Sequence, residues 1–185
     1  GRRVRAPVEV PAQRRRRRLM NVLVLDGGPR DARGAACRKI AEVFAAGARA
    51  RGHAVTAFAL DGMAIKPCRG CFACWVKHPG ACAIEDDEAA LLRPMSEADL
   101  QVWITPVTYG GYAPALKRAL DRFLPILLPF FTRRRGEAHH PLRYERRRAL
   151  CVVGTLAEAD AEAEAIFHHL VGRNALNLAS VLTRS

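Results

Sequence analysis

The stretch "NVLVLDGGPRDARGAACRKIAEVFAAGARARGH", Asn21–His53, decides the fold. It opens on a continuous apolar run that stops at Gly27 and Gly28. Such a run is the pattern of a strand covered on both faces, because a half-exposed strand would alternate. The segment from Ala32 predicts an amphipathic helix, with Cys37, Ile40, Val43, Phe44 and Ala48 on one face and Gly52 at its end. Strand, glycine turn and helix in that order predict one repeat of a parallel α/β layer.

The same alternation continues outward. "AVTAFAL" predicts a second strand, and a cysteine-rich loop follows it. Asp86 or Asp87 is placed to cap a helix through "EAALLRPM". "DLQVWITP" predicts the third strand. "YAPALKRALDRFL" predicts a helix carrying Tyr112, Leu116, Leu120 and Phe123 on one face. "RALCVVGT", "EADAEAEAIFHHLVGR" and "LASVLT" predict a strand, a helix and a fifth strand. No internal repeat is evident. The fold class is α/β, a doubly wound parallel sheet of about five strands with helices on both faces and without the usual last helix. Ligands of such sheets sit beyond the carboxyl ends of the strands. Three loops leave strand ends there: "GGPRDARGAA", the cysteine loop and "TPVTYGGY".

The 185 residues suit one domain, and the net charge of +12 is local rather than general. Residues 1–19 hold eight Arg against Glu9, and Arg133–Arg148 hold seven Arg against Glu137 and Glu145. Elsewhere acids and bases balance. Residues 1–19 read as a disordered basic tail and 20–185 as the folded domain. No stacking aromatics are interleaved in the first patch, and nucleic acid is disfavoured as a partner. The longest apolar run, "FLPILLPFF" at Phe123–Phe131, is too short for a membrane span and is broken by Pro125 and Pro129. The first residues show no apolar signal core, so a cytoplasmic location is expected. There, clustered cysteine points to metal or redox chemistry before structural disulfides.

The first loop is glycine-rich and runs into a helix, where free N–H groups favour an anion. Gly28, Pro29, Arg30, Arg33 and Gly34 are its candidate residues. It is neither a dinucleotide fingerprint nor a Walker loop, and a plain turn explains the glycines equally well. The third loop offers backbone amides beside two tyrosines, which suits a flat hydrogen-bonding ring. In the second, Cys68, Cys71, Cys74 and Cys82 stand close enough in sequence to surround a cubane cluster or a zinc ion. A metal-free loop stays open beside those two. Cys37 and Cys151 fall on apolar segments and read as core residues. His78, His139 and His140 lack partners at diagnostic spacing and read as surface residues.

Taken together, "GGPR", the cysteine loop closing on "EDD", "TPVTYGGY" and "ALKRALDR" resemble the flavodoxin-like NAD(P)H-dependent FMN reductase family. The resemblance is to its cysteine-containing branch, close to the iron–sulfur flavoproteins. It implies FMN, with the phosphate on the first loop and the ring against Pro106, Val107, Thr108, Tyr109, Gly110 and Gly111. Tyr109 and Tyr112 would flank the ring. It also implies NAD(P)H as electron donor, a quinone, flavin or similar small molecule as acceptor, and a homodimer, for which "FLPILLPFF" would supply the contact. No catalytic side chain is assigned, since flavin chemistry requires none. The alternative it implies is an iron–sulfur flavoprotein that carries electrons to a protein partner, with Cys68, Cys71, Cys74 and Cys82 as ligands of a [4Fe-4S] cluster. One departure matters: Gly28, Gly34 and Ala35 stand where the family usually has Ser and an Asn-Thr pair, which implies weaker phosphate binding.

Overall fold

A computed structural model describes residues 18–146 and 148–182. The expectation for the tail therefore lies almost wholly outside the described residues. β1 (Asn21–Asp26), β2 (Ala54–Ala59), β3 (Leu100–Thr108), β7 (Ala149–Thr155) and β8 (Val181–Leu182) form a parallel sheet in the order β2-β1-β3-β7-β8. The alternation predicts the parallel sheet, and its strand order is the flavodoxin-like one that the resemblance implies. β4 (Gly111–Tyr112) turns back antiparallel on β3, and β5 (Thr132–Arg134) and β6 (Glu137–His139) form a separate hairpin. The helices are α1 (Ala35–Ala50), α2 (Ala73–Val76), α3 (Ala89–Glu97), α4 (Pro114–Asp121) and α5 (Ala161–Asn177).

Alternating side chains of a strand reach opposite faces, and both faces of β1 and β3 are filled. Val22, Val24, Val102 and Ile104 pack with Cys37 of α1 in one layer. Leu23, Leu25 and Trp103 pack with residues of α3, α4 and α5 in the other. The continuous apolar runs of these strands follow from that double cover. On α1 the buried positions are Cys37, Ala45 and Ala48, while Val43 is exposed. The expected stripe is thus turned slightly, so that small residues face the sheet and let the helix approach closely.

Several expectations are corrected. Tyr112 belongs to β4 rather than to the following helix, because Pro114 occupies the first helical turn, where its missing N–H costs nothing. Glu88 rather than Asp86 or Asp87 is the capping residue of α3; Asp86 accepts the Glu88 amide just ahead of the helix, and the Asp87 carboxylate is engaged by the Ala64 amide. His139 is buried, its Nδ1 bonded to Asn177 at 2.8 Å. Within "FLPILLPFF", Phe123, Pro125 and Ile126 pack inside and only Phe130 and Phe131 stand exposed. No helix among the described residues is long and apolar enough to cross a membrane.

The first loop is locked to the third through α4. Gly27 donates its N–H to the Ile104 carbonyl at 2.8 Å, and a Cβ at Gly27 would stand 2.6 Å from the Leu116 Cβ. Gly27→Ala is therefore expected to lower stability by about 1–3 kcal/mol, the usual range for overpacking a filled core. Urea denaturation would show it as a lower midpoint with an unchanged slope.

Candidate functional site

β1 ends where Asp26 pairs with Ile104, and β3 runs on to Thr108, so the first and third loops leave the same edge of the sheet. The first loop is held by its own side chains and by Asp61, which follows β2. Gly28 donates to Asp26 Oδ1 at 2.9 Å, Arg30 N–H to Asp61 Oδ2 at 3.0 Å, and Arg33 N–H to Asp31 Oδ1 at 2.9 Å. The Gly34 amide donates to the Asp31 carbonyl. Arg33 also donates Nε and a terminal nitrogen to Asp31 Oδ2, and Arg38 donates to the carbonyls of Pro29 and Asp31. Gly34 is required because a Cβ there would overlap the Pro29 carbonyl.

The charges follow from these contacts. The Arg33 hydrogen bond holds the exposed Asp31 carboxyl below its ordinary range. Burial pushes Asp26 up, only partly opposed by the Gly28 amide and the Arg38 charge. The loop thus has cationic groups for an anion, but its carboxylates already occupy many of the donors.

In the third loop, Thr108 pairs with Gly111 across a two-residue turn. Both turn residues have positive φ, 49° at Tyr109 and 71° at Gly110, the geometry of a tight type I′ hairpin. Ile166 of α5 lies against Gly110, so any side chain there would collide with it. Tyr109 is fully exposed and touches nothing that restrains its ring. Tyr112 is different: it is buried edge-on between Trp103 and Phe167, and its hydroxyl accepts from Asn174 at 2.9 Å. Of the two tyrosines expected beside a ring, only Tyr109 is free to serve. Tyr112 instead anchors the turn to the core.

The cysteine loop is tied at both ends to one buried arginine. Arg122, just past α4, donates to the carbonyls of Lys66 at 2.6 Å and Ile84 at 3.4 Å. It holds both oxygens of Asp86 at 2.9 and 3.0 Å, and Glu88 Oε2 at 3.2 Å. Asp86 also accepts from the amides of Lys66 and Glu88. Burial alone would raise Asp86, but the Arg122 and amide hydrogen bonds outweigh it and hold that carboxyl low. Glu88 has one bond and an unpartnered Oε1, so burial dominates and pushes it up to about 7. The two carboxylates share a cation and shift in opposite directions because their donor counts differ.

Within the loop, Cys68 and Cys71 are exposed, Cys82 is half-buried and Cys74 is buried, all as free thiols. Burial raises the Cys74 thiol first, and the charges of Cys82, Cys68 and Cys71 add to the rise, so the four are electrostatic neighbours. Yet among the described residues no three His, Cys, Asp or Glu side chains are grouped to hold a metal ion. The thiols form a neighbourhood rather than a finished coordination shell. Trp75 anchors the middle, donating Nε1 to the carbonyls of Leu124 and Leu127, both at 3.1 Å. Its ring continues a row formed by Phe72, Trp75, His140 and Phe131.

A strand-ordered α/β sheet with two loops on one edge defines the flavodoxin-like class. Within it, the model of the NADPH-dependent FMN reductase family matches residues 20–183, and the chain belongs to that family. An iron–sulfur flavoprotein of Methanocaldococcus jannaschii is 39% identical over 66 residues, 36% of this chain and 33% of that protein. One of Methanosarcina thermophila is 30% identical over 103 residues, 56% of this chain and 52% of that protein. The chain thus spans between a third and about half the length of these curated relatives. Among solved structures, an NAD(P)H:quinone oxidoreductase from Methanothermobacter marburgensis superposes with a TM-score of 0.62 at 16% identity, covering 90% of this chain and 83% of that one.

The raised Glu88 has a pH signature. Its carboxyl ionises at a lower pH in the unfolded chain, so its contribution to stability is full below about pH 4.5 and is lost as pH rises through about 7. Glu88→Gln is expected to flatten the decline in stability between pH 5 and 7.5, by denaturant unfolding at both ends of that interval.

Proposed function

We propose that this chain is a flavin oxidoreductase that takes electrons from NAD(P)H through bound FMN and hands them to a small-molecule acceptor, a quinone or free flavin. The carrying observation is the adjacency, at one sheet edge, of an arginine-bearing glycine loop and a type I′ turn that presents an exposed Tyr109, in a chain of the FMN reductase family. Bound FMN supplies the hydride and electron transfer, and the protein contributes position and electrostatics. Pro106, Val107 and Thr108 end β3 beneath the turn; Gly110 is covered by Ile166, so the backbone exposed to a flat ring is that of Thr108 and Tyr109, with Gly111 half-buried beside them. Tyr109 lies free to cover that ring.

In this reading the phosphate rests on the first loop, near Gly28, Pro29, Arg30, Arg33 and Gly34. It must there displace the bond between Arg33 and Asp31, an exposed pair that water already weakens. The Asp31 charge would then remain beside the phosphate. Purified protein should bind FMN and oxidise NAD(P)H; protein that does neither in excess FMN refutes the reading. Asp31→Asn keeps an oxygen for the Arg33 amide and removes the charge. It should tighten FMN several-fold, roughly 3–10-fold, and leave riboflavin unchanged, by flavin fluorescence titration.

A second reading is favoured by the similarity to iron–sulfur flavoproteins and by the neighbourhood of four thiols. In it, Cys68, Cys71, Cys74 and Cys82 draw together on a [4Fe-4S] cluster and the protein relays electrons to a partner protein. Anaerobically purified protein should then contain iron and sulfide, and Cys82→Ser should lose both while keeping flavin. Protein free of iron after anaerobic purification with iron supplied would leave the first reading alone. The exposed Phe130 and Phe131 are read as a subunit contact. Phe131→Asp should convert a dimer to a monomer in sedimentation, and an unchanged sedimentation coefficient would remove them from that role.

A further inference from the structure

We propose that Arg122 is the positioning residue of the cysteine loop: its clamp on both ends, rather than a bound metal ion or a disulfide, sets the loop's shape. The two carbonyls that it holds, Lys66 and Ile84, stand two positions outside Cys68 and Cys82, the first and last of the four cysteines. Its two carboxylate partners, Asp86 and Glu88, follow on the same strand of chain. The Arg122 side chain is fully buried, as is that of Glu88, and that of Asp86 is 3% exposed. Four of its five N–H donors are engaged, which only a planar guanidinium fork can achieve at once.

The chemistry of the loop gives the clamp its purpose. Four thiols in one short loop repel one another once more than one carries charge, and loops of this kind ordinarily take their fold from the metal. Here the ends are already fastened and Cys82 lies within the field of the Arg122 cation. The middle is pinned separately by Trp75. Arg122 also terminates α4, the helix that begins two residues after β4 and the Tyr109–Gly110 turn. The loop is thereby fastened to the same rigid element as the candidate flavin turn. The inference concerns the chain's own residues and stands whether or not the flavin reading does.

The test is thiol alkylation of the reduced full chain, with and without a chelator, read residue by residue by mass spectrometry. Cys74 reports the loop, and Cys37, buried under α1 on the other face of the sheet, reports global opening. In the parent, Cys74 should stay protected when the chelator removes all metal. Arg122→Met should speed Cys74 labelling about tenfold or more and leave Cys37 unchanged, as local opening requires. Removing the cation alone strands two buried carboxylates, so Arg122→Met is paired with a triple variant that adds Asp86→Asn and Glu88→Gln. The triple variant should regain thermal stability while Cys74 remains fast. Arg122→Lys, which keeps the charge without the fork, should fall between. Three results would overturn the proposal. They are rapid Cys74 labelling in the chelated parent, parent-like protection in the triple variant, and equal acceleration of Cys37 and Cys74 in Arg122→Lys.

Discussion

Covering β1 and β3 on both faces is the constraint on which the rest of the molecule depends. A strand with helices on both sides has no free face for a ligand, so chemistry is confined to the edge where its carboxyl end emerges. The parallel pairing of Asp26 with Ile104 brings two such ends together. The Gly27 amide bond to Ile104 extends the pairing one residue beyond the strand, and the fit of Gly27 against Leu116 draws α4 into the same corner. Side chains that never meet a ligand thus determine how far apart the first and third loops stand.

The layers were legible in the sequence because their signals are local. The unbroken apolar runs of β1 and β3, and the return of small and apolar residues along α1, are consequences of burial at fixed period. The loops' places at strand ends followed from the alternation alone. What escaped depends on contacts between distant segments. Arg122 meets Asp86 and Glu88 across more than thirty residues, and no spacing rule joins them. The acidic "EDD" and the "DR" that ends α4 were the only hints. Tyr112 was misplaced because its period matched the helix that follows, while Pro114 and the type I′ turn assign it to β4. The burial of His139 required the hairpin of β5 and β6, which carries no apolar alternation.

Charge is distributed by an imbalance of supply. The chain is rich in arginine and has few carboxylates, and several Asp residues serve more than one cation or amide. Asp99 accepts from the Asn21 amide and from both Arg18 and Arg146, which gathers parts of the two basic regions at the amino end of the sheet. Asp86 fixes the cysteine loop, and Asp31 restrains the first loop. Of the two arginines that suggest anion binding in the sequence, Arg33 is in the folded chain already paired with Asp31.

The placement of the two tryptophans has a practical consequence. Trp103 is sealed in the core against Tyr112, whereas Trp75 sits half-exposed beside His140 and carries the cysteine loop. A dissolved quencher meets the second and not the first, and a charged imidazole dims an indole that it touches. The intrinsic ultraviolet emission of the unlabelled protein therefore divides into a silent reference and a signal that follows the cysteine loop.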